Sequence, residues 1–180
     1  MPNIDYEKLL IEALKKNVDD SKWKSGVFIG IKTVSNTKVG NVGQDFIEGL
    51  CGVLSIPCSF PLKENGKRST QSPWDIKIND IKFELKTATE DVNGSFQFDH
   101  VRYHRPYDAV LCLGVTPNEL YFRMWSKAEI TTQKAGKLAS MEKQANASFK
   151  LTKKPRVLFP ITEFSQKLTE FTKKYLADNS

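Results

Sequence analysis

Ser72-Pro-Trp-Asp-Ile-Lys-Ile-Asn-Asp-Ile-Lys-Phe-Glu-Leu-Lys86 is the stretch on which the fold turns. Trp74, Ile76 and Ile78 alternate with Asp75 and Lys77, and Ile81, Phe83 and Leu85 alternate with Lys82, Glu84 and Lys86. This period of two predicts two strands, and Asn79-Asp80 supplies a two-residue turn between them. Such a turn fixes the register, setting Ile78 against Ile81 and Asp75 against Glu84. Opposed side chains in an antiparallel pair have Cβ atoms roughly 4.5 to 5.5 Å apart, so the two carboxylates can grip one cation. Lys86 projects from the same face, two residues beyond Glu84.

Two opposed carboxylates repel unless something positive lies between them. Ligation by oxygen alone favours Mg2+, with Mn2+ as a substitute. A divalent ion there can stabilise charge growing on a phosphate and acidify a bound water, which Lys86 would orient. The competing reading is plain: Lys77 and Lys82 share that face in this register and could form a salt-bridged surface with Asp75 and Glu84.

Outward from the hairpin, the apolar spacing predicts an amphipathic helix over 4–16, from Tyr6, Leu9, Leu10, Ala13 and Leu14. Lys22 to Asn41 is Gly-interrupted and turn-rich. Phe46, Ile47, Leu50, Val53 and Leu54 mark one face of a second helix over 43–54, and 63–72 is a polar loop. Beyond the hairpin, the pattern predicts a short helix over 96–103. Asp108 to Val115 is continuously apolar, as expected of a strand buried on both faces. Leu120 to Trp125 completes a hairpin with it, and Phe164, Leu168, Phe171 and Tyr175 predict a closing helix. The sum is an α/β chain, a mixed central sheet flanked by helices in one domain over 1–180.

The 180 residues carry a net charge of +6, and residues 127–156 hold it all, with eight Lys/Arg against Glu129 and Glu142. A local excess of cations beside a neutral body suits a polyanion, though it also suits a solvated arm. Cys51, Cys58 and Cys112 are odd in number and widely spaced, which argues for reduced thiols over a disulfide framework or a zinc site. No apolar run reaches the roughly 18 residues of a membrane span, and the opening residues lack a secretory pattern. The expectation is a soluble cytoplasmic protein.

Pro73-Trp-Asp75, an eight-residue gap and Glu84-Leu-Lys86 resemble the signature of the PD-(D/E)XK nuclease superfamily, with Trp74 intruding between Pro and Asp. The likeness covers roughly 43–125, the expected catalytic core, and includes a helix bearing a Glu before the hairpin. It implies a restriction-endonuclease-like fold, with Asp75, Glu84 and Lys86 catalytic and Asp75 and Glu84 holding Mg2+. It also implies a third metal ligand from the preceding helix at Glu48, with Asp45 the competitor. Within the superfamily the chain looks most like a small type II restriction endonuclease: a single core with no ATP-binding motif. Such an enzyme hydrolyses double-stranded DNA at a short site, as a homodimer, beside a partner DNA methyltransferase. A junction resolvase, a repair nicking enzyme and a non-catalytic DNA-binding module are the alternatives.

Candidate DNA contacts follow. Lys63, Lys67 and Arg68 lie just before the hairpin. Gln97, His100, Arg102, His104 and Arg105 stand where related nucleases place a helix near DNA. Thr131, Thr132, Gln133, Lys134, Lys137, Gln144 and Asn146 belong to the basic segment, whose polar side chains could read bases. His100 and His104 have the i, i+4 spacing of a zinc pair, but the intervening Glu of a zinc-protease motif is missing.

Overall fold

The computed structural model describes residues 23–69, 72–142 and 148–178. The helix expected over 4–16, together with Gln144 and Asn146, lies outside them. The decisive hairpin forms as expected. Strands β2 (Ile76–Ile78) and β3 (Ile81–Thr89) pair antiparallel with Ile78 against Ile81 and Ile76 against Phe83. Asn79 (φ 47°) and Asp80 (φ 65°) both take the left-handed conformation, which a two-residue turn of this hand requires and which Asn and Asp tolerate.

β3 continues past its partner and pairs in parallel with β5 (Ala109–Val115), Glu84 lying beside Val110 and Lys86 beside Cys112. β5 pairs antiparallel with β6 (Leu120–Ser126), and short strands β1 (Cys58–Ser59) and β9 (Phe159–Pro160) close the two edges. The result is a mixed six-stranded sheet in the order β1-β2-β3-β5-β6-β9. Every residue of β5 is buried, as its continuous apolar run requires of a strand covered on both faces.

One face carries helices. Helix α1 (Asn36–Val53) and the C-terminal α3 (Phe164–Asp178) lay Ile47, Cys51, Phe164 and Leu168 against Ile76, Ile78, Ile81, Phe83, Leu85 and Leu111. α1 starts seven residues before the expected 43, because polar Asn41 and Gln44 and the small Gly40 and Gly43 hide its first turns from an apolar count. Gly43 is needed there: a Cβ would overlap Thr87 Oγ1 and lie 3.0 Å from Thr87 Cβ. Gly43→Ala is therefore expected to destabilise the fold by about 1–3 kcal/mol in chemical denaturation, and Thr87→Ala should recover part of that loss.

The opposite face departs from the expectation. It is covered by a second sheet, β4 (Phe96–Val101), β8 (Phe149–Lys153) and β7 (Leu138–Ser140) in the order β4-β8-β7, with the short helix α2 (Lys127–Thr131). Residues 96–101 are thus strand, not the expected helix. Phe96 and Phe98 point inward at a period of two, but the register shifts between Phe98 and Val101, with His100 at φ 57°. That bulge brings Val101 inward three residues after Phe98, which imitates helical spacing in the sequence. Phe96, Phe98, Val101, Ile130 and Leu151 pack there on Val110, Cys112 and Trp125. The described parts of the basic 127–156 stretch, 127–142 and 148–156, are accordingly part of the body and not a free arm. Ser126 and Glu129 cap α2 reciprocally. Among the described residues no helix is long and apolar enough to cross a membrane.

Candidate active site on β3

Alternation along β3 sends Ile81, Phe83 and Leu85 to the helical face and Glu84, Lys86 and Ala88 to the side of the second sheet. The β2–β3 ladder ends at Ile76 and Phe83, and Asp75 brackets Glu84 from beyond it. Its amide donates to the Phe83 carbonyl at 2.9 Å, and its Oδ2 accepts from the Leu85 amide at 2.8 Å. The side chain of Asp75 therefore stands in for a main-chain acceptor and is held beside Glu84 by both neighbours of that residue.

Glu84 is 2% exposed. Lys86 Nζ lies 2.7 Å from its Oε1, while Oε2 is buried without a hydrogen-bond partner. A buried ionised carboxylate with one oxygen left over costs free energy that only a further donor or cation recovers. Burial pushes the Asp75 carboxyl above the ordinary carboxylate range. The charge of Glu84 raises it further, while Lys86, the Leu85 hydrogen bond and Arg105 pull it down. Two acids and two bases thus act on one another across a small volume.

Three neighbours shape the surroundings. Hydrogen bonds on β3 alternate sides, so the Leu85 carbonyl points to the same edge as the amide that binds Asp75. From Lys86 onward β3 has no strand partner on that edge among the described residues, and there Lys86 and Thr89 line an open cleft of about 630 Å3 with Gln97, Asp99 and His100. Tyr107, 2% exposed in the apolar cluster of the Glu84 face, has a buried hydroxyl without a partner. Lys127 Nζ donates to the Arg105 carbonyl at 2.7 Å and sits 5.3 Å from the Tyr107 ring.

The alternative of a salt-bridged surface does not describe this site. Lys77 pairs with Asp80 at 3.2 Å, and Glu84 is interior. The expected third acid is engaged elsewhere: Arg68 bonds both Glu48 and Asp45, at 2.8 Å to the latter, and its guanidinium stacks 3.8 Å over Phe60. Among the described residues no three His, Cys, Asp or Glu side chains gather as a metal-ligating group, and Arg68 holds both Glu48 and Asp45. Arg68 is accordingly a clamp that ties its loop to α1, while Lys63 and Lys67 of that loop are exposed.

The other candidates separate. Gln97 bridges Asp91 and Lys150 at 2.8 Å each, and His100 Nδ1 lies 3.1 Å from buried Ser148, whose hydroxyl donates to Glu142. A strand and turn now separate His100 from His104, so their spacing no longer makes a zinc pair. Arg102 is half-buried and His104 exposed. The hydroxyls of Thr131 and Thr132 are turned back onto carbonyls of α2. Gln133, Lys134 and Lys137 are exposed. All three cysteines are free, and burial pushes the Cys51 thiol up to about 12. Sequence reasoning passed over Tyr107, whose Arg-Pro-Tyr-Asp context reads only as a turn before a strand.

No protein-family model matches the chain, and neither the curated proteins nor the solved structures give a significant match.

Proposed function

We propose that this chain is a Mg2+-dependent endodeoxyribonuclease of the PD-(D/E)XK kind, with a restriction-endonuclease-like core, and that it cuts double-stranded DNA at a short sequence. The observation that carries this reading is the buried Glu84, one oxygen on Lys86 and the other unpartnered, with Asp75 fixed beside it. An interior carboxylate whose charge is met by one displaceable ammonium, next to a second, repelled carboxylate, fits a hard divalent ion.

Asp75 and Glu84 would hold Mg2+, or Mn2+ in its place, which supplies Lewis-acid stabilisation for charge growing on a scissile phosphate. Lys86, released from Glu84, orients the attacking water and offsets negative charge. Arg105, close enough to Asp75 to act on its carboxyl, pulls that acid's pKa down against burial and the charge of Glu84. The cleft beside Lys86 gives the phosphate backbone a path along the free edge of β3, and exposed Lys134 and Lys137 offer further charge to it. A homodimer and a companion DNA methyltransferase belong to the same proposal, since a palindrome is matched by a two-fold protein.

Purified protein incubated with plasmid DNA and Mg2+ should give discrete fragments, and chelation should stop the reaction. Cutting that follows DNA shape in place of sequence would point to a junction-resolving or nicking nuclease. DNA binding with no cutting in either Mg2+ or Mn2+ would overturn the catalytic reading in favour of a binding module.

A further inference from the structure

Resting on the metal-nuclease reading of this site, we propose that Tyr107 is a positioning residue whose hydroxyl donates to the free oxygen of Glu84 and fixes that carboxylate for a divalent ion. The Tyr107 hydroxyl and Glu84 Oε2 are both buried and both without a hydrogen-bond partner. Each residue is 2% exposed. They share the face of the sheet that the second sheet covers, and the negative charge of Glu84 acts directly on the phenol, raising its pKa after burial has done so.

Buried polar groups that lack partners are uncommon, and each is unfavourable while unmet. A buried donor and a buried acceptor that are both unmet offset one another once they meet. Lys86 holds Oε1 and sets the carboxylate's plane. When an ion takes that place, Lys86 no longer does so, and the phenol is the neutral donor left in the dry interior to hold Oε2. The Tyr107 backbone is well anchored for this: its amide bonds the Arg105 carbonyl at 3.0 Å, and Asp108 on its other side bonds the main chain of Lys82. Lys127 Nζ lies over the ring, 5.3 Å from its centre.

Groups that orient a metal ligand typically change affinity or activity roughly 10- to 100-fold when removed. Tyr107→Phe should therefore weaken Mn2+ binding in calorimetry by about tenfold and slow kcat for plasmid cleavage similarly. KM for DNA should stay unchanged, since a buried phenol does not reach DNA. The same variant should unfold no earlier than the wild type, because it deletes an unmet buried hydroxyl. A packing role alone would leave metal affinity intact, since Phe keeps the ring.

Unsubstituted protein carrying fluorotyrosine gives a second measurement: paramagnetic Mn2+ should broaden the resonance of one tyrosine. Unchanged Mn2+ affinity in Tyr107→Phe, or no broadened tyrosine in a chain that does bind Mn2+, overturns this proposal and leaves the nuclease reading standing. Failure of the wild-type chain to bind Mn2+ overturns both.

Discussion

Lys86→Met is expected to lose DNA cleavage by roughly 10²- to 10³-fold while binding Mn2+ more tightly than the wild type. The opposite signs follow from the 2.7 Å contact between Lys86 and Glu84. That ammonium is the counter-ion of a carboxylate that is 2% exposed, so an entering cation must displace it. Removing it leaves a buried, uncompensated charge, which typically costs about 3–5 kcal/mol. An ion that neutralises Glu84 recovers much of this, and recovery of about 1.4 kcal/mol already means tenfold tighter binding. Thermal unfolding with and without Mg2+ checks the linkage: the variant should melt earlier than the wild type without the ion and gain more from adding it. Equal or weaker Mn2+ binding by a folded Lys86→Met protein would show that Lys86 and the ion do not share Glu84.

Asp75→Asn should abolish cleavage about as thoroughly without harming the fold. Asn keeps an acceptor for the Leu85 amide, which Asp75 now satisfies at 2.8 Å, and gives up the charge that burial and Glu84 disfavour. The sign with pH follows from that raised pKa. An acid held above its unfolded value stabilises the fold fully below the ordinary carboxylate range, near pH 4. That contribution disappears as pH climbs through the raised value. Without metal, the variant should therefore melt at or above the wild type at pH 7, and the difference should shrink toward pH 4. A variant that melts well below the wild type at neutral pH would mean that the carboxylate is a net structural support. Retained cleavage would remove Asp75 from the chemistry.

Much of the frame was legible in the letters because β structure writes itself with a period of two. The hairpin register, the doubly buried β5, its β6 partner and α3 all followed from alternation or apolar spacing. β4 was misread because one bulged residue, His100, converts strand spacing into a helical interval, and no local propensity announces a bulge. The charge run over 127–156 was ambiguous for a related reason. Lys127, Lys150 and Lys153 find their partners at Arg105, Gln97 and Ala135, contacts that exist only after the chain folds back. At the site, Asp75, Glu84 and Lys86 could be named from spacing, but the diversion of Glu48 and Asp45 to Arg68 could not. It depends on where a distant loop settles.

The Asn79-Asp80 turn acts as a spacer for chemistry that lies several residues away. β3 is locked to β5 along seven residue pairs, so one residue added to the turn would leave Glu84 and Lys86 where they are and slide β2 alone. Each inward residue of β2 would then face outward, and the carboxylate of Asp75 would swing to the helical side. A tight loop on the rim thus sets the gauge between two acids, and a chain lengthened there would keep its sheet and lose the pairing of acids on which the proposed cation depends.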